Sequence, residues 1–104
     1  MKLSASLLIG AFAVAPAAHA AGASHTVTIE GMKFTPERLE VNAGDSVTWV
    51  NKDFLPHSVT AKAAGIESGD LASGKRWKLV AKRKGEIDYI CRLHPVMHGM
   101  LIVK

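Results

Sequence analysis

GEIDYICRLHPVMHGMLIVK, residues 85–104, contains two strands and the short segment between them. Ile87, Tyr89 and Cys91 fall on one side of an extended chain, with Glu86 and Asp88 on the other. Leu101 and Val103 repeat the alternation at the end. A period of two with β-branched and aromatic residues is the signature of half-buried strands. Between the strands stand His94, Met97, His98 and Met100, next to the only cysteine of the chain. By parity the Cys91 thiol points inward, with Ile87 and Tyr89.

The same period recurs upstream. Val27 and Ile29 share a face in His25–Glu30, Leu39 and Val41 in Arg38–Asn42, and Val47 and Trp49 in Asp45–Asn51. His57 and Val59 share a face in the next expected strand, and Trp77 and Leu79 in the one after. Turn signals separate these runs: Gly31, Asn42-Ala43-Gly44-Asp45 and Lys84-Gly85. The connection from Lys62 to Gly74 carries three glycines and no helical stripe. About seven short strands in one small domain predict an all-β antiparallel sandwich.

The chain opens MKLSASLLIGAFAVAPAAHA. Lys2, an apolar run from Leu7 to Ala15 and the small-residue site Ala18-His19-Ala20 read as a secretory signal peptide over residues 1–20. Its apolar run is far shorter than the roughly 20 residues that span a bilayer. Residues 21–104 are then the exported domain, periplasmic, with no membrane attachment after cleavage. Of 13 basic and 9 acidic residues only Lys2 is lost with the leader, so the exported domain has a formal charge of +3. That mild, dispersed excess does not point to nucleic acid.

One cysteine cannot form an internal disulfide. In an oxidising compartment it is a buried thiol, an intermolecular bridge or a metal ligand. Its neighbours favour the last. Cys91-x-x-His94-x-x-Met97 places three metal-binding side chains on one tight turn stiffened by Pro95, and His57 points inward from another strand. Two histidines, one cysteine and a weak axial methionine are the ligand set of blue-copper electron-transfer sites. Thiolate and thioether favour Cu(I), while imidazole serves both oxidation states. A geometry between those the two states prefer keeps rearrangement small and transfer fast.

With these motifs in view, the chain resembles the cupredoxins, most closely the amicyanin group. The resemblance rests on Gly31-Met-Lys-Phe-Thr-Pro36, Asn42-Ala-Gly-Asp45, Val47-Thr-Trp-Val-Asn51, Pro56-His57, Gly85-Glu-Ile-Asp-Tyr-Ile-Cys91 and Cys91-x-x-His94-Pro95-x-Met97. It covers nearly all of the exported domain. It implies a Greek-key sandwich of about seven to eight strands around a single type 1 copper ion. The short His94-to-Met97 spacing is the amicyanin one, since plastocyanins and pseudoazurins have two more residues there. By position, His57, Cys91 and His94 would be equatorial ligands and Met97 axial, with Met100 and His98 facing outward. Serine at 58 replaces the asparagine usual in the family, so a looser tether between the two ligand segments is expected. Arg92, beside the thiolate, is expected to raise the reduction potential.

The resulting expectation is a monomeric, non-enzymatic one-electron carrier that cycles Cu(II)/Cu(I). It would dock briefly on redox partner proteins through an apolar patch of Met32, Leu55, Pro56, Pro95 and Val96, with the His94 edge as the electron's exit. The alternative is a carrier that delivers Cu(I), with Met97, His98 and Met100 at the mouth of the site. A catalytic metal needs an open coordination position, and four protein ligands leave none.

Overall fold

Alternation in the sequence becomes alternation in burial. The computed structural model describes residues 22–104, and the leader expected over residues 1–20 lies outside them. In β1 (Ser24–Glu30), Val27 and Ile29 are buried while Thr26 and Glu30 face out. β4 (Ser46–Asn51) buries Val47 and Trp49. β8 (Gly85–Cys91) buries Tyr89 and Cys91, and β9 (His94–Val103) buries Met97, Gly99, Leu101 and Val103.

Completing the described residues are β2 (Lys33–Thr35), β3 (Arg38–Val41), β5 (Thr60–Ala61), β6 (Ile66–Glu67) and β7 (Arg76–Val80). They form two sheets, β2-β1-β4-β7 and β3-β9-β8-β5-β6, packed as a sandwich. Each sheet is mixed. β1 runs parallel to β4, with Val27 opposite Trp49, and β3 runs parallel to β9, with Leu39 opposite Leu101. The remaining ladders are antiparallel, as expected for this class.

The core holds Val27, Ile29, Val47, Val59 and Leu101 around an aromatic group. The Tyr89 ring meets Phe34 edge-on at 4.8 Å and Trp49 at 5.5 Å. Tyr89 pairs with Gly99 across β8 and β9, and a Cβ at Gly99 would lie 2.5 Å from the ring. Glycine here lets the ring lie flat against the neighbouring strand.

Three local expectations are corrected. The His57–Val59 segment is not a strand. His57, Ser58, Val59 and Thr60 are all buried, so no exposed face alternates with a buried one, and His57 is held by a single bridge to Leu71. The Lys62–Gly74 connection contains a 3₁₀ turn, Lys62–Ala64, and the two-residue β6. The expected ligand loop is largely strand, because β9 begins at His94 and pairs it with Cys91 across a two-residue turn, Arg92-Leu93.

Candidate metal centre

The site is assembled from two distant segments. β8 delivers Cys91 at its inner end by the parity of Ile87 and Tyr89. The chain turns at once, and His94 comes back opposite Cys91. The next pair is Ile90 with His98, so Pro95, Val96 and Met97 form a bulge between two in-register pairs. A bulge bends its strand and re-aims a side chain. Here Met97 keeps the inward parity of Gly99 and Leu101 and is 3% exposed, whereas Pro95 and Val96 stand outside.

His57 arrives from a loop built by Asn51. That buried amide donates to the carbonyls of Leu55 (2.9 Å) and Leu71 (2.8 Å), and its Oδ1 accepts the Asp53 N–H (2.9 Å). The last contact is an Asx turn. It folds residues 52–56 into a bend that hands His57 to the interior. The backbone of His57 exchanges both hydrogen bonds with Leu71, at 3.1 and 2.7 Å.

These segments bring three donor atoms together. The ligand atoms of His57, Cys91 and His94 lie within 4.8 Å of one another. Cys91 Sγ is 3.6 Å from His57 Nδ1 and 3.7 Å from His94 Nδ1. An ion bonded to nitrogen at about 2.0 Å and sulfur at about 2.3 Å, with bond angles between tetrahedral and trigonal, requires an N···S edge of about 3.5–3.7 Å. The observed edges fit. His57 and Cys91 are buried and His94 is half-buried, with the two rings 5.0 Å apart. Met97 lies in the same core cluster as Cys91.

The surrounding hydrogen bonds fix these side chains. The Ser58 N–H points at Cys91 Sγ (3.4 Å), and Ser58 Oγ accepts the Arg92 N–H (2.8 Å). Serine therefore does tether the two ligand segments, because its full burial places Oγ close enough to compensate for its short reach. Ser58 Oγ also bonds Thr60 Oγ1 (2.8 Å), which donates to Glu67 Oε1. Arg92 turns outward to Asp70 and Glu67, so much of its charge is compensated away from the thiolate. Met100 faces outward and accepts from Arg38, and His98 is exposed beside Glu37.

Asp53, not singled out from the sequence, is the most connected carboxylate near the site. It accepts the Gly31 N–H at Oδ1 (2.7 Å) and the Met32 N–H at Oδ2 (3.0 Å), and Oδ2 also meets His57 Nε2 (2.8 Å). Burial is the largest single influence on its carboxyl and pushes the pKa up. The Met32 and Gly31 amides together with His57 outweigh burial and hold the pKa below 3.8. Gly31 and Met32 both have positive φ, 64° and 62°. That is the two-residue turn suited to the twist of a β1–β2 hairpin. Methionine is unusual there, and the carboxylate holds the turn's two amides.

Met32, Leu55, Pro56, Pro95 and Val96 are all exposed, Val96 at 84%. Met32 and Val96 line one hollow together with Met97. Phe54, passed over in the sequence, is 98% exposed on the same 52–56 bend.

Comparison with known proteins agrees with this geometry. A family model described as a cupredoxin-like domain matches residues 3–103. Amicyanin-alpha of Methylorubrum extorquens is 33% identical over 97% of this chain and 89% of its own length. Amicyanin of Paracoccus denitrificans is 32% identical over 85% of this chain and 71% of its own. Among solved structures, a Cu(I) form of an amicyanin variant with a methionine-to-alanine change superposes with a TM-score of 0.73. It is 30% identical, and the match covers 78% of this chain and 82% of that one.

Proposed function

From the premise that this chain belongs to the cupredoxin-like family, we propose that it is a periplasmic blue-copper protein that carries single electrons between redox partners. The observation that carries this reading is the convergence of ligand atoms of His57, Cys91 and His94 within 4.8 Å, with His57 Nδ1 and His94 Nδ1 at 3.6 and 3.7 Å from Cys91 Sγ. The inferred ligands are these three atoms with the Met97 thioether. This mixture of borderline and soft donors suits copper in both oxidation states. When bound, copper supplies a one-electron couple.

The side chains divide the remaining tasks. Buried Cys91 and His57 keep water from the donor set. The Ser58 N–H places a hydrogen bond on the sulfur, which reduces its electron density. His94 is the only ligand of the set that is half-exposed, so its ring edge is the route out. Met32, Phe54, Leu55, Pro56, Pro95 and Val96 form the inferred docking patch around that edge. An apolar patch with few charges suits brief contact, since small interfaces release quickly.

Delivery of Cu(I) finds less support. It placed Met97 at the mouth of the site, but Met97 is buried and Met100 is engaged by Arg38. A catalytic role also lacks support, because four inferred protein ligands leave no open position for substrate. Export is inferred from the leader, and a purified periplasmic protein that begins at Ala21 would bear it out.

The test is the absorption and paramagnetic-resonance spectrum of the Cu(II) protein beside Cys91→Ser. An intense blue band in the parent, absent from the variant, is the expected result. Only weak, ordinary Cu(II) spectra from the parent would refute electron transfer through this site.

A further inference from the structure

The first half of β8 has one neighbouring strand instead of two. β8 lies between β9 and β5, but β5 meets it only through Thr60 opposite Ile90. If β5 ran on in register, Lys62 and Ala64 would face Asp88 and Glu86. The chain instead coils through Lys62–Ala64 and leaves as β6. Which backbone groups are left bare follows from β9. The Met100 and Lys104 N–H groups donate to Glu37 and Val41, on the β3 side. The alternate residues Gly99, Leu101 and Val103 therefore turn their N–H and C=O groups to β8, opposite Tyr89, Ile87 and Gly85. By the same alternation Ile90, Asp88 and Glu86 turn theirs the other way. Ile90 finds Thr60, while Asp88 and Glu86 find no strand among the described residues. A groove of about 730 Å³ takes the place of the missing strand, between residues 86–88 and the Lys62–Ala64 turn. A hollow of about 230 Å³ continues inward past Ile87 to Ile66, Leu79 and Leu101. Lys62, Arg83 and Lys84 also line the groove, exposed and without an ion pair among the described residues.

The geometry points to this groove as a docking site for an extended acidic peptide segment of a partner protein, added as a strand to the free edge of β8 between Gly85 and Asp88. In strand addition the main chain supplies hydrogen bonds and the pockets for alternate side chains supply specificity. The N–H and C=O groups of Glu86 and Asp88 offer the first. The hollow past Ile87 offers the second, and takes an aliphatic residue opposite Ile87. Residues beside the Glu86 and Asp88 carboxylates are neutral, because like charges directly opposite destabilise a strand pair. Acidic residues beyond the two ends meet Lys62 on one side and Arg83 with Lys84 on the other. An edge guarded only against aggregation needs charges alone; the apolar hollow beneath it and the cations at both ends serve an occupant. With Lys62–Ala64 as its far wall, the groove has the width of one extended chain rather than of a second sheet. No copper ligand takes part, so the inference stands apart from the electron-carrier reading.

The test follows amide exchange in ¹⁵N-labelled protein at low ionic strength, with Cu(I) bound and again without metal. In the free protein the Glu86 and Asp88 amides should exchange quickly and those of Ile87 and Tyr89 slowly. The blocked peptide Glu-Glu-Ser-Val-Ser-Glu-Glu, at saturation, should slow the first two. Its counterpart with lysine for every glutamate should bind at least about tenfold more weakly. Asp88→Pro removes one edge N–H and spares the β9 ladder, and should weaken the acidic peptide about three- to tenfold. Arg83→Glu, on an exposed side chain, should narrow the preference for the acidic peptide. Slow exchange of Glu86 and Asp88 in the free protein, no protection by the peptide, or equal binding of the lysine counterpart overturns the proposal. Protection that grows with protein concentration alone marks an interface between copies and also overturns it, as does equal protection by decanoate, which marks a site for lipid-like anions. A folded Asp88→Pro protein that binds as the parent does places the peptide elsewhere and refutes strand addition. If that variant does not fold, the two peptides on the parent protein decide. The metal-free arm reads the same amides, so the result holds whether or not the blue band is found.

Discussion

Tyr89 should make this domain lose stability in alkali by a calculable amount. Its hydroxyl is carried on a ring 3% exposed among Phe34, Trp49 and Gly99. Burial pushes its pKa from 10.0 up to about 12, and the charge of Glu37 adds to the rise. Trp49 pulls the other way. Its effect exceeds that of the Glu37 charge, and burial outweighs it. A raised acid is protonated in the folded state where the unfolded chain has already lost its proton. The contribution is therefore complete below pH 10 and is lost as pH climbs through about 12. Two pH units at about 1.4 kcal/mol each give roughly 2.7 kcal/mol. Tyr89 is the only tyrosine in the chain, so tyrosinate absorbance reports this group alone. Urea midpoints for the parent and Tyr89→Phe, measured from about pH 9 to about pH 12, isolate the effect, since lysines titrate in both. The parent should fall more steeply, with most of that gap closed by about pH 12. Absorbance titrating near pH 10 in the folded protein, or parallel stability curves, would refute the argument.

Other consequences follow from the same geometry. Gly99→Ala forces a methyl to 2.5 Å from the Tyr89 ring and should cost about 1–3 kcal/mol in urea denaturation; an unchanged midpoint would mean the ring has room to shift. The Asn42 amide, His25 and the Ala23 amide hold the Asp45 carboxyl below 3.8, against an opposing effect of burial. That stability is present above pH 3.8 and lost as pH falls through the lower folded value, so Asp45→Asn should flatten the acid limb of a midpoint-against-pH curve. Met97→Leu keeps the packing volume but removes the thioether. The blue band should persist and the potential should rise in voltammetry, because Cu(II) loses more than Cu(I) when a donor leaves; a lower potential would count against axial ligation by Met97.

The strands that carry most of the core were legible because each is long enough to show its period. Val27 with Ile29, Val47 with Trp49 and Tyr89 with Cys91 all point as their alternation predicts. β2, β5 and β6 are two or three residues long, and so few residues carry no periodicity. The parallel pairing of β1 with β4 and of β3 with β9 was not legible either, since local pattern says which face is buried and not which strand lies alongside. His57, Cys91 and His94 stood out because one thiol and tightly spaced imidazoles are rare. Asn51 and Asp53 did not, because they read as ordinary turn residues, and an Asx turn opening at Asn51, six residues before the inward histidine, was the available signal. Ser58 was misjudged by reach alone: burial supplies the distance that its short side chain lacks.

The bulge at residues 95–97 separates two inherited properties of this domain. Cys91–His94 on one side and Ile90–His98 on the other are both proper ladder pairs, so the sheet is closed on either side of it. Residues gained or lost inside that interval lengthen or shorten an arc outside the hydrogen-bonded ladder. They leave the register of Leu101 and Val103 untouched. Lineages can therefore vary the axial donor and the rim around the exit histidine while the scaffold beneath stays constant, which leaves redox character and foldability open to selection one at a time.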